Sequence, residues 1–94
     1  MKMKEVWTKE AKETYLSNMK YLKTQWTKKE IQFFIDKSFE AIDLLLQNPK
    51  LGSFDARWKA YKFLIVPQVY LYYEVKNDEL ILLTFWNNYQ KPLF

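Results

Sequence analysis

The sequence predicts an α+β domain in which an antiparallel pair of helices packs on one face of an antiparallel sheet. Apolar residues recur at helical spacing through the first half of the chain, whereas aromatic and β-branched residues fill strand-length runs in the second half. With 94 residues, 49% of them apolar, and no second hydrophobic block, residues 1–94 are expected to form one domain. The expected element order is β-α-α-β-β-β.

The first half opens with a short strand and an amphipathic helix. Val6 and Trp7 suit a strand that ends before Thr8. Beyond Thr8, lysines and glutamates stand opposite an apolar stripe, which is the pattern of a helix with one buried face. The stripe consists of Ala11, Tyr15, Met19 and Leu22.

The second helix has a defined beginning and end. Thr27 and Glu30 have the spacing of a capping box, in which the Thr27 hydroxyl accepts from the Glu30 amide and the Glu30 carboxylate accepts from the Thr27 amide. The helix should stop near Asn48, because Pro49 disfavours helical geometry in the residue before it. A short turn therefore joins two antiparallel helices. The predicted buried face carries Ile31, Phe34, Ile35, Ser38, Ile42, Leu45 and Leu46.

Three strands fit the remainder of the chain. The first covers about Trp58 to Val66, the second alternates from Val69 to Val75, and the third, Leu80 to Trp86, is apolar on both faces. Continuous apolarity predicts a central position for the third strand. Tight turns at Pro67-Gln68 and at residues 76–78 make the three strands an antiparallel meander.

The composition excludes several classes of site. The sequence has no cysteine and no histidine, so zinc-thiolate sites, Ser-His-Asp triads and HExxH motifs cannot be built. The single glycine, Gly52, excludes both the P-loop and the GxGxxG fingerprint. We therefore expect no cofactor and no metal.

Charge is distributed unevenly along the chain. The net charge is +4, and residues 1–37 carry nine lysines against five acidic residues. Such an excess favours association with an acidic partner or a phosphate backbone, although a charge this small commonly serves solubility. No apolar run suggests a signal peptide or a membrane span, so a soluble, cytoplasmic protein without a membrane partner is expected.

Four local features follow one another in a characteristic order. They are Val6-Trp7-Thr8 with Ala11 near the start, Asn48-Pro49 with Leu51-Gly52 after the second helix, Leu71 and Tyr73 on a strand, and Asn88, Gln90 and Pro92 at the close. Their order and spacing resemble the RelE/ParE toxins of type II toxin–antitoxin systems along nearly the whole chain. The resemblance implies a growth-inhibiting toxin whose first partner is a cognate antitoxin, a protein with a flexible segment that wraps the toxin.

The residues that RNA-cutting members use are altered in this chain. Those members resemble one another in carrying basic residues, commonly arginines, where this sequence has Tyr70 and Tyr89. The loss matters because cleavage by the 2′-hydroxyl needs charge stabilisation at phosphorus, which a guanidinium provides by clamping two oxygens. The remaining candidate catalytic residues are Lys62 to hold a phosphate, Tyr70 and Tyr89 to move a proton or stack on a base, and Lys91 to add positive potential.

The aromatic residues also have structural interpretations. Rings at alternating strand positions, such as Tyr70 and Tyr72, usually pack against neighbouring elements, and most tryptophans fill the core or its rim. Trp58 has a second interpretation, because Arg57 and Lys59 beside it form a basic-aromatic cluster of the kind that binds single-stranded nucleic acid.

Three functions remain open at this point. The first is a ParE-like inhibitor that poisons DNA gyrase by contact, which the missing arginines favour. The second is a RelE-like endoribonuclease that cuts mRNA on the ribosome with the reduced lysine and tyrosine set. The third is a degenerate toxin, or a plain interaction domain, that only binds the antitoxin. The partners implied are thus the antitoxin together with DNA gyrase or the ribosome and its mRNA.

Overall fold

The computed structural model describes residues 3–88, apart from the side chain of Gln25. It confirms the α+β class and adds one short strand, β2, that the sequence pattern did not predict. In chain order the elements are β1 (Lys4–Trp7), α1 (Lys9–Gln25), α2 (Lys28–Gln47), β2 (Ser53–Asp55), β3 (Ala60–Val66), β4 (Val69–Lys76) and β5 (Glu79–Asn87).

The predicted capping box at the start of α2 is present. The Glu30 amide donates to the Thr27 hydroxyl at 3.2 Å, and the Thr27 amide donates to the Glu30 carboxylate at 3.0 Å. At the other end Asn48 is the C-cap, as Pro49 requires. Side chains therefore satisfy amides that a helix N-terminus leaves without intrahelical partners, which fixes where the hairpin turns.

The sheet is mixed rather than purely antiparallel, because β1 pairs with β5 in parallel. The strand order is β1-β5-β4-β3-β2, and the remaining pairs are antiparallel. The strand β5 has a neighbour on each side, as its continuous apolarity predicts, although β4 is the middle strand. The predicted meander corresponds to β3, β4 and β5.

The strand β3 begins at Ala60 and not at Trp58. Lys59 has a φ of 52°, in the left-handed region, so the chain cannot be extended there and residues 56–59 form a turn. Arg57, Trp58 and Lys59 consequently lie in the turn between β2 and β3 rather than at the start of an edge strand. The edge strand on this side is β2.

The core lies between the two helices and one face of the sheet. Apolar side chains alternate inward along β4, where Val69, Leu71 and Tyr73 are fully buried. Phe34 and Leu45 of α2 meet this face from above. Burial of these side chains supplies the main driving force for folding.

The N-cap residue of α1 and polar side chains along the helix bond to backbone groups of β5, where β1 ends and beyond it. The Thr8 hydroxyl donates to the Leu82 carbonyl at 2.8 Å. Further along, the Phe85 amide donates to the Thr14 hydroxyl at 3.0 Å, and the Asn18 amide group donates to the Phe85 carbonyl at 2.8 Å. The helix thus replaces a neighbouring strand, because backbone groups beyond the end of β1 obtain partners from side chains.

The opposite edge of the sheet is only partly covered. The strand β2 pairs with residues 60–62 of β3 and extends no further. Within the part of the chain that the structure describes, residues 63–66 have a strand partner only on the β4 side. On the β3 side, the sheet therefore has an edge that β2 covers only in part.

Candidate functional site

The face of the sheet turned away from the helices, here called the open face, carries most of the predicted site residues. Because side chains alternate along a strand, residues paired across β3, β4 and β5 share this face. Tyr70 lies opposite Leu64 and Trp86, and Tyr72 lies opposite Lys62 and Thr84. The open face is thus an aromatic surface with one lysine near its centre. The open face is defined by Arg57, Trp58, Lys62, Leu64, Tyr70, Tyr72 and Trp86.

Lys62 and Tyr70, two of the predicted catalytic residues, are brought together. The Lys62 ammonium lies over the Tyr70 ring, with Nζ 5.2 Å from the ring centroid. This is a cation–π contact, in which the electron-rich ring face attracts the charge. The aliphatic stem of Lys62 thereby lies along the sheet, and the ammonium is already engaged with a group of the protein.

The turn between β2 and β3 adds Arg57 and Trp58 to the open face. The Trp58 side chain is 56% exposed, and its ring centroid lies 5.7 Å from that of Tyr72. Arg57 forms an ion pair with Asp55 at 3.3 Å. The structure thus places Trp58 against Tyr72, whereas Trp7 and Trp26 pack on the core as predicted.

Asp55 is a site residue that the sequence analysis missed. Its side chain is buried at the end of β2, and its carboxylate also accepts from the Arg57 amide at 2.9 Å. The Arg57 guanidinium, by hydrogen bonding, holds the pKa of the Asp55 carboxyl below its ordinary value. The bond from the amide two residues on is an Asx turn, which aspartate commonly forms. The aspartate at position 55 was therefore a turn signal in the sequence.

Tyr72 is poorly suited to act as a general base. Burial raises the pKa of its hydroxyl above the ordinary value, and the negative charge of Asp55 raises it further. A tyrosine with an ordinary pKa near 10 is already a weak base at neutral pH, so these effects keep the hydroxyl protonated. The Tyr72 hydroxyl can donate a hydrogen bond to a ligand.

The remaining predicted residues are divided between the turn and the end of the chain. Lys59 occupies the left-handed position of the turn, beside Trp58 in sequence. Tyr89 and Lys91 lie outside the described residues. The structure therefore assembles Lys62 with Tyr70, and Arg57 with Trp58, on one face of the sheet.

An apolar groove runs along α2 beside the partly open edge of β3; we call it the α2 groove. It consists of two hollows of about 370 and 310 Å³ that share Phe33 and Pro67. Phe33 is 54% exposed and Leu64 is 46% exposed, so large apolar side chains face solvent here. From Lys29 to Leu44 of α2 the groove extends roughly 22 Å, at about 1.5 Å per helical residue.

The helices and the acidic side chains of residues 3–88 bear on membrane and metal binding. Neither α1 nor α2 is sufficiently long and apolar to cross a membrane. Within the same residues, acidic side chains do not gather into a group able to hold a metal ion.

No protein-family model matches the sequence, and no curated protein matches it. Among solved structures, the chain is similar to the solution structure of a conserved hypothetical protein, HP0894, from Helicobacter pylori. The two chains are 24% identical, with 90% of this chain and 93% of that chain covered and a TM-score of 0.49.

Proposed function

We propose that this chain is the toxin component of a type II toxin–antitoxin pair and that it acts as a contact inhibitor of DNA gyrase, in the manner of ParE. The observation that carries the proposal is the open face, an aromatic surface whose central cations are engaged by the protein itself. Lys62 lies over Tyr70, and Arg57 is paired with Asp55. Such a surface is organised for binding.

The residue types of the open face are those that dominate the energetics of protein–protein contacts. Tryptophan, tyrosine and arginine are enriched among residues whose removal costs the most binding energy. Trp58 and Tyr72 are in contact, and Leu64, which lies opposite Tyr70 on β3, adds an exposed apolar side chain. A partner covering this cluster would bury a large apolar area at little conformational cost, because rings have few rotatable bonds.

The same face is less suited to cutting RNA. Charge that develops on phosphorus requires a cationic donor aimed at the phosphate oxygens. Arg57, the only arginine of the sequence, is instead held by a carboxylate at 3.3 Å, which offsets its charge. Burial keeps the Tyr72 hydroxyl protonated, so proton abstraction by Tyr72 is disfavoured.

The α2 groove supports the expected antitoxin partner. A flexible segment that lies in this groove would cover Phe33 and Leu44 on the helix and Leu64 on the strand. Exposed apolar surface of this kind commonly marks a site of protein association. The segment would fold on binding, so that contact area is gained at an entropic cost.

A gyrase supercoiling assay tests the contact function. The wild-type protein should inhibit supercoiling, and Trp58→Ala should weaken inhibition by about thirtyfold, which corresponds to the loss of about 2 kcal/mol at a dominant contact. Phe39→Ala is the matched control, since Phe39 is a similarly exposed ring on α2, away from the open face. Inhibition that Trp58→Ala leaves unchanged, or its absence in the wild type, would contradict the proposal.

A second candidate is a ribosome-dependent endoribonuclease, since two of the predicted catalytic residues, Lys62 and Tyr70, lie in contact. To hold a phosphate, the Lys62 ammonium would have to leave the Tyr70 ring. A ribosome-programmed cleavage assay on the same preparation should show mRNA cleavage that is roughly a hundredfold or more slower than that of a RelE-like toxin with the arginines. This is the effect of removing one preorganised donor. Strong messenger cleavage that disappears in Tyr89→Phe or Lys62→Ala would reverse the order of the two candidates. If neither assay responds, the antitoxin-binding function alone is supported.

Antitoxin binding has its own test. The chain should co-purify with the product of an adjacent small gene and should restrict growth when expressed without it. Phe33→Ser should weaken this complex, whereas Phe39→Ser, at a comparably exposed position outside the groove, should leave it intact. Equal weakening by the two substitutions would show that the segment binds elsewhere.

A further inference from the structure

The turn between β2 and β3 is organised by one buried carboxylate. The Asp55 side chain is 8% exposed, and it accepts from the Arg57 amide at 2.9 Å. The Trp58 amide donates to the Asp55 carbonyl at 3.2 Å, which closes the turn. Lys59 adopts a left-handed conformation at the end of the turn, and β3 begins at the next residue. The positions of Arg57 and Trp58 therefore depend on Asp55.

The Arg57 guanidinium is held from one side only. Its Nε and one terminal nitrogen lie 3.4 and 3.3 Å from the two oxygens of Asp55, a forked arrangement. The Arg57 side chain is nevertheless 81% exposed. Asp55 uses only two of the five N–H donors of the side chain, and this exposure leaves the others accessible to solvent.

The surroundings of this guanidinium are aromatic, and Lys62, the other cation of the open face, lies over the Tyr70 ring. Trp58 is the next residue, and it lies against Tyr72 on the open face. Because Asp55 lies beneath Arg57 and offsets its charge, this point of the surface has a weaker positive field than an unpaired arginine would have. A polyanionic strand, which binds through several unpaired cations, is therefore less favoured here than one anionic group within an apolar contact.

We propose that Asp55 and Arg57 form a preformed binding site for one carboxylate side chain of a protein partner, with Arg57 as the binding residue and Asp55 as its positioning residue. The proposal rests on the contact function proposed above. The partner's carboxylate would take the outward donors of the guanidinium, while Trp58 would pack against apolar groups beside it. Preorganisation by Asp55 reduces the side-chain entropy that Arg57 loses on binding.

Nuclear magnetic resonance on the full chain, without gyrase, tests the site directly. The probe is an oligoglutamate peptide, with oligoglutamine of equal length as the uncharged control. Oligoglutamate should shift the Arg57 Nε–H resonance saturably, and oligoglutamine should not. Asp55→Asn keeps an oxygen for the Arg57 amide but removes the charge that holds the guanidinium. The loss of positioning should outweigh the gain in positive field and weaken the binding by about tenfold. Asp43→Asn, at an exposed position on α2, should not weaken it.

The positioning role has a separate readout. In Asp55→Ala the indole N–H resonance of Trp58 should move and its contacts with the Tyr72 ring should weaken, whereas in Asp55→Asn both should be retained. Unchanged Trp58 resonances in Asp55→Ala would overturn the positioning role. Tighter binding of a single-stranded oligouridylate than of oligoglutamate, unaffected by Asp55→Asn, would overturn the carboxylate assignment. These outcomes are independent of gyrase inhibition, so a failure of the proposed function is distinguishable from a failure of the site.

Discussion

Replacing Tyr73 by phenylalanine removes one hydroxyl group and should disconnect the loop that follows α2 from the sheet. Tyr73 is fully buried on β4. Its hydroxyl accepts from the Gly52 amide at 3.0 Å and donates to the Pro49 carbonyl at 2.8 Å. In the variant both backbone groups lose their partner inside a partly buried loop.

The magnitude follows from those two hydrogen bonds. Each contributes on the order of 1 kcal/mol, so Tyr73→Phe should lower the free energy of unfolding by about 2 kcal/mol. For a domain of this size the thermal midpoint should fall by roughly 10 °C. Differential scanning calorimetry and urea denaturation measure the two quantities. Tyr61→Phe is the control, because Tyr61 stacks on Tyr73 and its hydroxyl has no hydrogen bond among the described residues.

Equal midpoints for Tyr73→Phe and the wild type would refute this account of the loop. A second substitution strengthens the test. A Cβ atom at Gly52 would lie 2.5 Å from the Tyr73 hydroxyl and 2.6 Å from the Lys62 carbonyl oxygen, although the φ of Gly52 is not positive. Gly52→Ala should therefore destabilise the protein even in the Tyr73→Phe background, because the backbone oxygen of Lys62 remains.

Three other predictions concern stability. Thr27→Ala should cost on the order of 1 kcal/mol by loss of the cap at α2, and an unchanged denaturation midpoint would show that the cap contributes nothing. Asn18→Ala should cost about 2 kcal/mol, because the Phe85 carbonyl loses a buried donor; faster hydrogen exchange along β5 would accompany it. The pKa of the Asp55 carboxyl is lower in the folded protein than in the unfolded chain. Its contribution to the free energy of unfolding is therefore present above about pH 4 and is lost as the pH falls through the folded-state pKa. The stability difference between the wild type and Asp55→Asn should accordingly shrink in acid; a difference independent of pH would contradict this.

The elements that the sequence predicted correctly are those whose signals are local. Thr27 and Glu30 carry a capping box within four consecutive residues, and Pro49 marks the end of the same helix. Alternation along β4 likewise predicted a strand with two distinct faces. Such features depend on neighbouring residues, so they are visible before any tertiary contact is known.

The features that the sequence did not predict depend on distant or very short segments. The parallel pairing of β1 with β5 joins the two ends of the domain, which no periodicity encodes. The strand β2 has three residues, too few for a periodic pattern. Because aromatic residues favour strands, the sequence pattern predicts Trp58 at the start of a strand, whereas the left-handed conformation of Lys59 places Trp58 in a turn.

The candidate site was predictable in its residues but not in its arrangement. Lys62 and Tyr70 were expected to act together, and the structure places them in contact. The sequence did not show which face of the sheet the helices cover, and therefore did not show that Trp58 would join Tyr72 on the other face. The sequence did not indicate a role for Asp55, because that role depends on its contacts with Arg57 in the turn between β2 and β3.

The unequal edges of the sheet have a consequence for assembly. Along β5, Thr8, Thr14 and Asn18 occupy backbone groups that an incoming strand would need, whereas residues 63–66 of β3 remain available on one side. Because an unpaired strand edge is a template for pairing, one guest strand, or the same strand of a second copy, could add to the sheet at these residues.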